Sequence, residues 1–236
     1  MRWAECNVAT YAALLRSGVH FAQATYGDGE WRAILGNPRN RDSNVNGEPY
    51  AGQLGEMLRT TLLEPGGQWC AFWDGDAGRE TRDRANAWIR EQAVPGPWLP
   101  FCAIRHAHID GRAAPFFRAA GTRRTVVVGP GHIERLDTRL LEPAEHVTIP
   151  DGSAWEEVPR IRRTLFGVLK EGDLVLFCAG MASNVLIHQL WNEYRWQGHA
   201  TLLDVGSVLD PWCGVYSRRV YRDSEWREQT MQKNLP

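Results

Sequence analysis

The second half of the chain alternates apolar strands with amphipathic helices, and this alternation restricts the fold more than any other feature. Thr125-Val-Val-Val-Gly reads as a buried strand, residues 133–141 as a short helix and His146-Val-Thr-Ile-Pro as a strand. Trp155, Val158, Ile161, Leu165, Val168 and Leu169 share one helical face. Leu174-Val-Leu-Phe-Cys-Ala is a fully apolar strand, residues 182–196 a helix and Thr201-Leu-Leu-Asp-Val a further strand. Strands joined by helices of this length pair in parallel through right-handed crossovers, which cover both faces of the sheet. The expected class is therefore α/β: a Rossmann-like, mostly parallel sheet with helices on both faces. No linker rich in Gly, Ser or charge divides the chain, so residues 1–236 read as a single domain. An irregular tail carrying Arg218, Arg219, Arg222 and Arg227 is expected from about residue 207.

The first half is less regular. Residues 7–18 read as a helix and 19–26 as a short strand, followed by Gly27-Asp28-Gly29-Glu30. Residues 37–49 are polar, with Pro, Asn and Gly, and form a long loop. Tyr50, Leu54, Met57, Leu58 and Leu62 recur at helical spacing until Glu64-Pro-Gly-Gly stops them. Residues 68–73 make an apolar strand. Residues 79–93 make a charged helix with Ala85, Trp88 and Ile89 inward.

Composition narrows the classes of function. Lys+Arg 27 against Asp+Glu 28 leaves a net charge of −1, which argues against a general electrostatic nucleic-acid binder. The 11 Trp residues offer flat faces for sugars or bases, or simply fill a Trp-rich core. Five Cys occur without a C-x-x-C pair. Cys70, Cys102 and Cys178 lie in apolar runs and read as buried thiols in a reducing compartment. The first residues lack a signal-peptide apolar core, and no run reaches the roughly 18 apolar residues of a membrane span. A cytoplasmic protein without a membrane span is expected, in the host cytoplasm if phage-encoded.

Three segments carry chemistry. Tyr26-Gly27-Asp28-Gly29-Glu30 ends an early strand. Its carboxylates are hard oxygen donors of the kind that hold Mg²⁺ or Mn²⁺ together with substrate phosphates. Asp28 and Glu30 are thus candidate metal ligands, with Gly27 and Gly29 allowing backbone to approach a ligand. The same residues also read as a helix start, Asp28 capping and Glu30 in the first turn. The second segment, Cys178-Ala179-Gly180-Met181-Ala182-Ser183-Asn184, joins an apolar strand to a helix. Backbone N–H groups from Gly180 to Asn184 suit a diphosphate, with Ser183 and Asn184 as further donors, or Gly180 serves only a tight turn. The third is Leu203-Asp204-Val205-Gly206-Ser207, with Asp210 beyond. Asp204 follows a strand's carboxyl end, where open α/β sheets bind ligands. It reads as a catalytic group or as a cap of its own turn. Asp210, before Pro211, reads as a turn starter. Val128-Gly-Pro-Gly-His132 is a lesser candidate. His106 and His108 lack a third metal ligand at useful spacing and read as surface or turn histidines. No G-x-S-x-G elbow or Walker loop is present.

In order and placement, these segments resemble the GT-D type glycosyltransferases, formerly a domain of unknown function. That family has an aromatic-Gly-Asp-Gly-Glu segment near its amino end, here Tyr26 to Glu30. Near its carboxyl end it has an apolar strand, a Gly turn, a helix and a strand reading Ala-x-Asp-x-Gly, here matched by residues 174–190 and Ala200-Thr-Leu-Leu-Asp204-Val-Gly206. The resemblance spans residues 19–212 and is weak over 67–121. Many members have His after the late glycine, where this chain has Ser207.

The resemblance implies a Rossmann-like enzyme that moves a sugar from a nucleotide-diphosphate donor, a UDP-sugar first among them, to a hydroxyl. It implies Mn²⁺ or Mg²⁺ and nucleotide at Asp28 and Glu30; combined with the readings above, diphosphate is expected at Gly180 to Asn184, donor contacts at Gly206 and Ser207, and catalytic roles for Asp28 and Asp204. Asp204 is the general base or a donor-sugar contact. The acceptor is a glycan, a glycoprotein or a hydroxymethylated base in phage-type DNA. Arg160, Arg162 and Arg163 with Arg218, Arg219 and Arg222 would flank DNA phosphates, or form a solvated face balanced by Glu156, Glu157, Asp223 and Glu225. The alternative class is a nucleotide-sugar-binding module, or a nucleotide-sugar hydrolase, on the same fold.

Overall fold

A computed structural model describes residues 7–36, 52–67, 69–72, 79–95, 98–100, 103–193 and 199–236. The 37–49 loop, Tyr50, Trp73, Cys102 and Trp196 lie outside the described residues, as does the side chain of Cys70. The first half contains α1 (Val8–Arg16), β1 (Ala22–Tyr26), α2 (Asp28–Leu35), α3 (Gln53–Leu63), β2 (Trp69–Phe72), α4 (Arg79–Glu91), β3 (Trp98–Pro100), α5 (Ala103–Ile109) and α6 (Ala114–Ala120). The second contains β4 (Thr125–Pro130), β5 (Glu145–Ile149), α7 (Val158–Val168), β6 (Leu174–Phe177), α8 (Met181–Asn192), β7 (Thr201–Asp204), α9 (Arg219–Arg222) and α10 (Ser224–Gln229). The seven strands form one sheet in the order β3-β2-β1-β7-β6-β4-β5, with every pairing parallel.

Strand alternation supplies two cores from one sheet. Ala22, Ala24 and Tyr26 of β1, Val126 and Val128 of β4, and Val175 and Phe177 of β6 face α2, α3, α4, α7 and α8. Val127, Leu174, Leu176 and Leu203 face α1, α5, α6 and the segment after Gly206. Buried on both sides, such strands read as unbroken apolar runs rather than alternating ones.

The connections leaving β1 and β6 pack on the first face, through Trp31 of α2 and Val185 of α8. Those leaving β7 and β4 pack on the second, through Leu209 and Ile133. The chain thus splays to opposite faces beyond the carboxyl ends of β1, β7, β6 and β4, four neighbouring strands. Such reversals open the crevice in which α/β sheets bind ligands.

Some elements differ from expectation. Only Gly131–Arg135 is helical within 133–141, as a 3-10 turn. The segment after Gly206 is not an irregular tail. It folds into short helices that bury Trp212, Cys213, Tyr221, Trp226, Met231 and Asn234. His108 is neither at the surface nor in a turn: it is fully buried in α5, and its Nε2 accepts the Trp212 indole N–H at 2.8 Å. Cys178 is only partly buried.

Candidate active site

Because the strands are parallel, the loops after β1, β7, β6 and β4 emerge at one edge of the sheet. The first loop runs straight into α2, whose N-cap is Gly27. Glu30 reaches back and accepts the Gly27 N–H through Oε2 at 2.7 Å, the Glu half of a capping box, and Gly27, lacking a side chain, returns no bond. Asp28 is the first helical residue rather than the cap. Its carboxylate lies 3.5 Å from Arg32, with 56% of the side chain exposed. No cluster of three metal-ligating side chains occurs among the described residues. Asp28 and Glu30 are hard oxygen donors of the chemical kind that holds Mg²⁺ or Mn²⁺ together with ligand oxygens and water.

The loop after β6 abuts this one: a Cβ built on Gly29 would sit 3.8 Å from Met181 Sδ, in ordinary contact. Gly180 is the N-cap of α8, with φ +58°. Left-handed backbone of this kind is strained for any other residue. Ser183 and Asn184 are fully buried. Ser183 Oγ accepts the Ala179 N–H at 3.1 Å, and Asn184 Nδ2 donates to the Thr25 carbonyl at 2.8 Å. Both side chains thus hold the loop and tie it to β1, and Asn184 Oδ1 has no hydrogen-bond partner.

Asp204 closes β7. One carboxylate oxygen accepts the Gly206 N–H at 3.0 Å. Burial pushes its carboxyl group up to about 6, against the hydrogen bonds of Gly206 and of the Thr25 hydroxyl and backbone and the positive charge of Arg105. The expected turn-capping role and the expected placement at the strand mouth are therefore both present in this one side chain. Ser207 Oγ accepts from Arg218 Nε at 3.0 Å.

The loop after β4 brings a pairing that spacing did not reveal. His132 Nε2 lies 3.1 Å from Oδ1 of Asp210, which is 7% exposed, and the Ser217 hydroxyl donates to Oδ2 of the same carboxylate. These residues are 78 and 7 positions apart, so only the fold joins them. The charge of Arg105, on α5, likewise acts on Asp204 across the fold, and the sequence reading did not single this arginine out.

At the far end of the same edge, beyond β5, a cleft of about 490 Å³ is lined by Thr148, Ile149, Pro150, Ser153, Glu156, Glu157 and Arg160. Arg160 pairs with Glu157, and Arg162 with Glu193. Arg160 and Arg162 are thus each paired with a carboxylate.

No protein-family model matches the sequence, and no curated protein matches it. Among solved structures, the chain is similar to that of the highly conserved domain of unknown function 1792, described as having a distinct glycosyltransferase fold. The TM-score is 0.63 at 13% identity, over 97% of this chain and 94% of the other. The chain has that glycosyltransferase fold. Among its described residues, no helix is long and apolar enough to cross a membrane.

Proposed function

We propose that this protein is a glycosyltransferase that moves a sugar from a nucleotide-diphosphate donor to a hydroxyl. One observation carries the reading: a chain with this fold gathers the Asp28-Gly29-Glu30 turn, the Gly180 turn and Asp204 at the splayed carboxyl edge of its sheet. Asp28 and Glu30 would hold Mn²⁺ or Mg²⁺, which when bound neutralises negative charge on the departing diphosphate. The first N–H groups of α8 bind diphosphate oxygens, aided by the helix dipole. Asp204, pinned by Gly206 and Thr25, would use its remaining acceptor capacity to hold a donor-sugar hydroxyl. The acceptor we favour is a glycan. The cleft beyond β5 presents Thr148, Ser153 and Glu156, which hydrogen-bond sugar hydroxyls, while its Arg160 is paired with Glu157, leaving the Glu156 carboxylate to disfavour DNA phosphate.

The test is to incubate the protein with Mn²⁺ and a panel of nucleotide sugars and to measure free nucleoside diphosphate with and without glycan or hydroxymethylated-DNA acceptors. Release that depends on a glycan supports the reading. Release without acceptor indicates a hydrolase, and binding without release indicates a non-catalytic module. Release stimulated only by hydroxymethylated DNA replaces the acceptor class.

A further inference from the structure

We infer that His132, oriented by Asp210, is the general base that deprotonates the acceptor hydroxyl. This rests on the transferase reading above and assigns a residue which that reading leaves open.

The placement comes from the strand order. β4 lies between β6, whose loop belongs to the proposed donor site, and β5, whose carboxyl end bears the hydroxyl-binding cleft. The short helix carrying His132 packs against β5 on one side and the Asp210–Cys213 turn on the other. Contact with the β6 loop is close. A Cβ on Gly129 would lie 2.9 Å from Ile133 and 3.2 Å from Cys178, so only glycine fits there. Cys178 N–H donates to the Val128 carbonyl at 2.7 Å, and Val205 N–H to Phe177 at 3.0 Å, which joins the ends of β4, β6 and β7. β4 and β7 are two strand spacings apart, about 10 Å. An acceptor in the cleft and a donor sugar at Asp204 would therefore meet in front of β6 and β4.

The chemistry follows from the hydrogen bonds. Asp210 is acceptor-only as a carboxylate, so neutral His132 carries its proton on Nε2 and donates it to Oδ1. Nδ1 is then the free lone pair, and it has no hydrogen-bond partner among the described residues. The His132 side chain is 18% exposed, enough to meet a substrate. Ser217 occupies the other Asp210 oxygen, so both oxygens are engaged and the ring is held. In the reaction the acceptor O–H proton passes to Nδ1 as the oxygen bonds to the anomeric carbon. The bond from that carbon to the diphosphate oxygen breaks, and its electron pair leaves on the diphosphate. Asp210 stabilises the resulting imidazolium, the role of a carboxylate in acid–base triads.

The experiment has a structural arm and a kinetic arm. In ¹⁵N NMR of the whole protein, neutral His132 should be protonated at Nε2, and Asp210→Asn should mix the tautomers. His132→Gln should lower kcat by about 10²-fold with donor KM and melting temperature unchanged. Imidazole in the buffer should restore part of the rate of His132→Ala. Ser217 is exposed, so Ser217→Ala should fold and lower kcat a few-fold. A neutral His132 protonated at Nδ1, or His132→Gln within a few-fold of wild-type kcat, overturns the assignment. A wild-type protein that turns over no donor fails the transferase reading instead, and the assignment falls with it.

Discussion

Gly180 and Gly29 show how similar residues at one edge do different work. At Gly180 the backbone has φ +58°, so any side chain costs about 1–2 kcal/mol before a ligand is considered. A bulky substitution there would lower stability and donor affinity together and would not separate them. Gly29 is the better probe. It lies in the first turn of α2 without positive φ, and a Cβ would meet only Met181 Sδ at 3.8 Å. Gly29→Ala should leave melting temperature unchanged or raise it slightly, because Ala favours the helix by up to about 1 kcal/mol over Gly. If backbone at Gly29 approaches the diphosphate, calorimetry should show donor affinity falling about tenfold or more. Unchanged affinity would reduce this glycine to helix packing. Asp204→Asn keeps the shape but removes the charge that would hold a sugar hydroxyl. Donor KM should rise about 10–100-fold, matching the roughly 1.5–3 kcal/mol of a charged hydrogen bond. A fall in kcat alone, with donor KM constant, would instead make Asp204 the base and displace His132.

At the scale of elements, the Glu30 cap of α2 sets the terms for testing a metal. Glu30 accepts the Gly27 N–H, and glutamine can do the same through its amide oxygen. Glu30→Gln should therefore melt close to wild type, whereas Glu30→Ala should lose roughly 0.5–2 kcal/mol. If Glu30 also serves a cation, Glu30→Gln should need far more Mn²⁺ for half-maximal turnover. Wild-type turnover by Glu30→Gln in chelator would leave only the cap. The helix start was visible in the sequence, but with Asp28 as its cap; the structure makes Gly27 the N-cap and gives the capping bond to Glu30. Long periodic elements were equally legible: Leu54, Leu58 and Leu62 are fully buried in α3, and Ala85 and Ile89 are buried in α4. Helices α5 and α6 were not, because each has only seven residues and shows less than two turns of period. In α5 His106 and His108 read as surface or turn histidines rather than as part of a helix. The positions of Asp28, Gly180 and Asp204 at the strand ends were legible because each lies within three residues of the last residue of its strand. His132 meets Asp210, and Arg105 acts on Asp204, only across the fold, and nothing local marks them as partners.

For the whole molecule, the segment after Gly206 closes the second core over His108. Phe117, Trp212, Tyr221 and Trp226 pack around that ring, with centroids 5.5–6.3 Å away. Asn234 Nδ2 donates to the His108 carbonyl, and its Oδ1 accepts the Ala113 N–H. Burial lowers the imidazole from 6.5 to about 4. Between these values the unfolded chain binds the proton and the folded chain does not. Stability from this group is thus complete above pH 6.5 and falls as pH drops to about 4. A shift of this size corresponds to about 3 kcal/mol. Asp204 works in the opposite direction. Its carboxyl group is raised from 3.8 to about 6, so the folded state binds the extra proton, and stability from Asp204 is lost as pH rises from 3.8 through 6. Between pH 4 and 6 the two slopes largely cancel. Urea unfolding at pH 7.5, 6 and 4.5 should separate them. Asp204→Asn should remove the opposing term and steepen the loss of stability on acidification. His108→Gln keeps an acceptor for the Trp212 indole but cannot titrate, so it should flatten or reverse the slope. Equal slopes in wild type and His108→Gln would mean that the imidazole charges within the folded protein, and that the C-terminal segment does not seal this core.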